Sequence, residues 1–101
     1  MAEEQRKVWL IGEFLEESFV GCSVFYDYDD KEPVARSYRI VDDTTAKVRH
    51  YVIVSRAFLE HHAEAEIVPA LQSLAFLECL RIAGDRRVIV RSRTIEIKQK
   101  P

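Results

Sequence analysis

The sequence predicts an α+β domain: an antiparallel sheet of about four strands with helices packed on one face, in the order α-β-β-β-α-α-β across residues 1–101. Three observations lead there. Residues 22–54 alternate apolar and polar positions with a period of two, interrupted twice by polar turns. Residues 4–20 and 67–84 are instead patterned at helical spacing or built from good helix formers. Residues 88–97 return to β-branched side chains. Strands joined in hairpins, followed by helices, favour an antiparallel sheet over repeated βαβ units.

In the first stretch Val8, Ile11, Leu15 and Phe19 recur at helical spacing, with Glu13, Glu16 and Glu17 opposite them. That predicts an amphipathic helix over 8–20, ended by Gly21. Gly12 costs about 1 kcal/mol relative to Ala inside a helix, so a short strand over Val8–Ile11 is the rival reading. From Cys22 the period becomes two: Cys22, Val24, Tyr26 and Tyr28 share one face, and Ser23, Phe25, Asp27 and Asp29 the other. The turn DDKEP and the alternation over Val34–Val41 complete a hairpin. A second turn, Asp42–Thr45, leads into residues 47–54, whose apolar run Tyr51–Val54 suits a central strand.

Ser55 is placed to cap a short helix, RAFLEHHAEA, with Phe58 and Leu59 facing inward. The strongest helix signal follows. Pro69 suits a first turn and Gly84 a position just past the end, which predicts one helix over 69–83. Its apolar residues Leu71, Leu74, Phe76, Leu77, Cys79, Leu80 and Ile82 spread almost all the way round. Such a helix is central to its own core or is partly covered by a second subunit. The last segment, VIVRSRTIEIK, shifts phase around 91–94 and reads as one or two strands with a bulge or bend. The tail from Lys98 is expected to fray.

A chain of 101 residues with 48% hydrophobic and 32% charged content has enough apolar surface for one core without staples, and reads as a single domain. Its formal charge of −2 gives the whole molecule no strong attraction for nucleic acid or membranes. Cys22 and Cys79 sit among apolar neighbours and read as buried free thiols. The start MAEEQRK has no apolar h-region and no apolar run approaches a membrane span, so a cytoplasmic location is expected.

No constellation for chemistry stands out. His61 and Glu64, at i,i+3 on a helix, are spaced to share a metal, with His50 as a third ligand only if the fold brings it close, but His61 and His62 point about 100° apart and no zinc motif is present. Asp27, Asp29, Asp30 and Glu32 cluster at a hairpin without EF-hand spacing. Tyr26, Tyr28 and Tyr38 share parity with core positions, which argues against bases stacking on them. No catalytic residue, cofactor or metal site is therefore assigned.

Charge is more informative. Residues 1–50 carry 7 Lys/Arg and 11 Asp/Glu, whereas residues 81–101 carry 7 Lys/Arg and only Asp85 and Glu96. The basic end is expected to lie beside the acidic hairpin, to meet an acidic protein partner, or to bind phosphates. The leading expectation is a small non-enzymatic interaction, adaptor or regulatory protein, homodimeric through Leu74, Leu77, Leu80 and Arg81, with Arg86, Arg87, Arg91 and Arg93 facing a partner. The alternatives are nucleic-acid binding through 81–101, and a metal protein or enzyme built on His61 and His62.

Overall fold

The computed structural model describes residues 3–29 and 35–98. The turn residues Asp30, Glu32 and Pro33 and the tail 99–101 lie outside them, as do the side chains of Asp27, Tyr28 and Asp29. Four helices and five strands follow in the order α1 (Glu3–Ser18), β1 (Cys22–Asp29), β2 (Ala35–Asp42), β3 (Val48–Val54), α2 (Arg56–His61), α3 (Glu64–Ser73), α4 (Phe76–Ala83), β4 (Arg87–Val90) and β5 (Ile95–Ile97). The fold is α+β, as the sequence predicts. No helix is long and apolar enough to cross a membrane, among the described residues.

The five strands lie in the order β1-β2-β3-β4-β5. Every neighbouring pair is antiparallel except β3 and β4, which run parallel because three helices intervene between them. The phase shift after Val90 is a turn rather than a bulge. It separates β4 from β5, so Ile95 and Ile97 pair with Val90 and Val88 and return to the helix side. The strand order corrects one expectation: the basic last strands do not lie beside the acidic hairpin, because β3 stands between β2 and β4.

One face of the sheet meets the helices. Val24, Tyr38, Ile40, Val52, Val54, Val88 and Val90 join Ile11 and Leu15 of α1, Phe58 and Leu59 of α2, Ile67 and Leu71 of α3, and Phe76 and Leu80 of α4 in one core. Tyr38 is fully buried and its hydroxyl donates to the Val8 carbonyl at 2.7 Å, so burial pushes the phenol well above its ordinary pKa. Gly12 has its reason here. A Cβ on it would meet the Tyr26 ring inside van der Waals contact, so the helix carries glycine where an aromatic of β1 leans on it. Tyr26 in turn packs edge-on against Tyr38, with centroids 5.3 Å apart.

The stretch expected as one helix over 69–83 is two. Pro69 lies inside α3 rather than in a first turn, and Ala75 stands between the helices in the left-handed region, at φ 54° and ψ 44°. Spacing explains the break. α3 buries Ile67 and Leu71, and α4 buries Phe76, Leu80 and Ala83. At about 100° per residue, a continuous helix would place those two buried sets on opposite sides. The left-handed residue resets the phase so that both face the core. The all-round apolar pattern is thus two amphipathic helices read as one.

Candidate interaction face

With the helices on one side, no helix among the described residues packs on the other face of the sheet, and register decides which side chains stand there. Residues directly opposite across neighbouring strands share a face. Phe25 is opposite Arg39, Arg39 opposite Tyr51, and Tyr51 opposite Arg87. The Lys98 N–H donates to the Arg87 carbonyl at 2.8 Å, which carries the row past the end of β5. Aromatic and cationic side chains therefore alternate along Phe25–Arg39–Tyr51–Arg87 and end on Lys98. At strand spacings of about 4.8 Å the row spans roughly 19 Å, with Phe25 and Tyr51 about 10 Å apart.

Phe25 is 47% exposed, Arg87 and Lys98 are exposed, and Arg39 and Tyr51 are half-buried. The Arg39 guanidinium carbon lies 5.6 Å from the centre of the Phe25 ring, a cation–π contact. Ser37, Arg39, Tyr51, Ile53 and Arg87 line a hollow of about 210 Å³ between β2, β3 and β4. In the adjacent row Ile53 and Ile89 are almost wholly buried, as a separate apolar pair on this side of the sheet. Beside them Glu96 accepts from Arg91 at 2.9 and 3.2 Å and faces Lys98 at 3.5 Å. Those cations, Arg91 first, hold the Glu96 carboxyl below its usual pKa. This face carries Arg39, Arg87, Arg91 and Lys98 together with Glu96, which pairs with Arg91 and Lys98, and Asp27 and Asp29 take register positions on the same face. The acidic residues Glu13, Glu16, Glu17, Glu64, Glu66 and Glu78 belong to the helices.

The four arginines singled out from sequence do not form one patch. Arg86 donates to the Ala83 and Ile82 carbonyls at 3.0 and 3.1 Å, satisfying the C-terminal end of α4. Arg87 joins the row and Arg91 is held by Glu96. Arg93, exposed in the β4–β5 turn, lines a groove of about 420 Å³ with His62, Glu66, Pro69 and Leu74. The residues expected at a dimer interface also separate. Leu80 is fully buried in its own core, so it is not available to a partner, while Leu77 is 38% exposed and Arg81 pairs with Glu78.

A larger groove, about 760 Å³, opens between the end of α1, the β2–β3 turn and α4. Phe19, Val48, His50 and Leu77 line it together with Lys47, Arg49, Arg81, Asp42, Glu78 and Asp85. His50 Nδ1 lies 2.9 Å from the Gly84 carbonyl. A carbonyl only accepts, so the neutral ring carries its proton on Nδ1 and Nε2 is the acceptor. Burial, the first cause, lowers the His50 pKa and keeps the ring neutral near pH 7. The buried Lys7 likewise serves the fold: its ammonium donates to the Leu59 carbonyl at 2.7 Å.

The proposed His61–Glu64 metal pair is not held by one helix, because α2 ends at His61 and α3 begins at Glu64. His50 stands at the opposite end of β3 from α2. No group of three His, Cys, Asp or Glu side chains is arranged to hold a metal ion among the described residues. Cys22 and Cys79 are free thiols, partly rather than fully buried. No family model, curated protein or solved structure matches the chain.

The sequence already held half of the row. The parity that puts Val24 on the core side puts Phe25 on the other, and the alternation over 34–41 separates Arg39 from Tyr38 and Ile40. What it lacked was the register, and the parallel pairing that sets Arg87 beside Tyr51.

Proposed function

We propose that this chain is a small non-enzymatic interaction protein and that its working surface is the open face of its sheet. The cross-strand row Phe25–Arg39–Tyr51–Arg87–Lys98 carries the reading. Tyrosine and arginine are the residue types on which binding energy concentrates at interfaces, and here they are set on strands that hold them in fixed relative positions. The buried ionisable side chains Lys7 and His50 are committed to backbone carbonyls, which fits a structural rather than a catalytic use of them.

Site-specific photocross-linking in the native cell tests this. A photoreactive phenylalanine at position 51 is expected to capture a partner, and one at position 82, which is 66% exposed on α4, is expected to capture none. Equal capture at the two positions, or capture from position 82 alone, contradicts the assignment of the face.

A further inference from the structure

The outer edge of β1 is a surface distinct from the open face, and we infer that it takes up an extended, basic peptide segment as a sixth strand. β1 ends the sheet, and no strand among the described residues pairs with its far side. Its eight residues run opposite β2 in unbroken register, with no bulge, proline or lysine to blunt the edge. The Asp43 N–H donates to the Gly21 carbonyl at 3.0 Å, and bonded pairs alternate along an antiparallel ladder. Ser23, Phe25 and Asp27 are therefore the residues bonded to β2, and the N–H and C=O groups of Val24, Tyr26 and Tyr28 point outward. A row of donors and acceptors at strand spacing is complementary to another polypeptide backbone.

What lies above that edge selects the side chains. Gly12 of α1 sits against the Tyr26 ring. Three residues earlier, Trp9 is turned only about 60° from Gly12 and lies nearly opposite the core residue Ile11. Glu13 and Glu16 fall within about 40° of Trp9 on the same side of the helix. The Tyr26 phenol feels them: burial first, then the charges of Glu16 and Glu13, push it above its ordinary pKa. Trp9 is 55% and Tyr26 48% exposed. Neither glutamate is paired with a cation among the described residues. Cations at every second residue of an added strand therefore meet two carboxylates and the face of an indole on this side. On the other side of the edge the Arg39 guanidinium lies over Phe25, which favours an apolar side chain there, and Asp27 and Asp29 take register positions farther along. The segment that fits alternates basic and apolar residues. A second copy paired through its own β1 fits less well: CSVFYDYD brings no cation, and Glu13 and Glu16 of the two copies would face one another.

The test uses the full chain and the emission of Trp9, its only tryptophan. The probe is a capped eight-residue peptide that alternates lysine and valine, in 50 mM salt. Binding is expected to change the Trp9 emission and to slow amide exchange at Val24 and Tyr26 at least tenfold, with little change at Phe25. The corresponding glutamate–valine peptide should bind at least tenfold more weakly. So should the lysine–valine peptide N-methylated at its central pair, which removes a ladder donor whichever way the strand runs. The double variant Glu13→Gln/Glu16→Gln should weaken binding roughly 2- to 30-fold, the loss expected for two exposed ion pairs. No binding at 1 mM peptide, equal binding of the glutamate peptide, unchanged affinity after N-methylation or in the double variant, or unslowed exchange at Val24 and Tyr26 overturns the inference. So does a doubled mass in sedimentation together with slowed exchange at those two residues in the absence of peptide, which would make a second copy the occupant. Capture from position 51 reads the open face and not this edge, so this inference and that reading fail separately.

Discussion

Replacing Ala75 with glycine should stabilise this protein, and the sign of the effect tests the break between α3 and α4. Ala75 sits in the left-handed region at φ 54° with its side chain exposed, so no packing contact competes with the backbone term. An L-residue pays about 1–2 kcal/mol in that region, and glycine pays almost none. Against this, glycine makes the unfolded chain more flexible, which removes about 0.4–1 kcal/mol of the gain. The net expectation is a stabilisation of about 0.5–1 kcal/mol. For a domain of this size that raises Tm by roughly 2–8 °C. Had residues 69–83 formed one continuous helix, the same substitution would stand in a helix interior and cost about 1 kcal/mol. The two structures therefore predict opposite signs. Thermal unfolding followed by circular dichroism at 222 nm reads the difference, with Ala70→Gly inside α3 as the control expected to lower Tm. A fall in Tm for Ala75→Gly comparable to the control would refute the reset of helical phase.

Other expectations follow from single contacts. Gly12→Ala gains about 1 kcal/mol of helix propensity but displaces the Tyr26 ring, whose packing on Tyr38 contributes about 0.5–1.5 kcal/mol, so it should be near neutral in the wild type. In a Tyr26→Ala background the same change should stabilise by about 1 kcal/mol, and a double-mutant cycle without coupling would contradict the contact. Lys7→Met removes a buried charged hydrogen bond to the Leu59 carbonyl and should cost about 1.5–3 kcal/mol, read from the urea midpoint at constant m. His50 has its proton affinity lowered by burial, so as pH falls below about 6.5 the unfolded chain takes up the proton first. Stability should therefore decline from pH 7 to pH 5, and His50→Gln should flatten that part of the profile. An unchanged slope in the variant would remove His50 from the account.

Much of the architecture was legible because local patterns and the core agreed. The two-residue period of β1 and β2, the apolar run of β3 and the serine cap before α2 each state one element and one buried face. Ser55 does accept from the Phe58 N–H, at 3.3 Å, and Phe58 and Leu59 do turn inward. Gly12, which weakened the helix reading of the first segment, marks a tertiary contact with Tyr26 rather than a helix end. The candidate face was half legible for the same reason: parity separates Phe25 and Arg39 from the core, but parity does not say which residues on different strands stand side by side.

The sequence by itself determined the α+β class, the identity of most elements, and the segregation of positive charge toward the chain's end. Hydrophobic periodicity is a local property, and the side chains that carry it are read within one element at a time. Only the tertiary structure decided where α3 stops and α4 starts, because the phase of each helix is set by the core it faces. It alone placed β4 beside β3 in parallel, which moved the basic strands away from the acidic hairpin and set Arg87 beside Tyr51. Such pairings join residues separated by three helices, and no local pattern encodes them; they follow from how one sheet and one layer of helices bury the most apolar surface together.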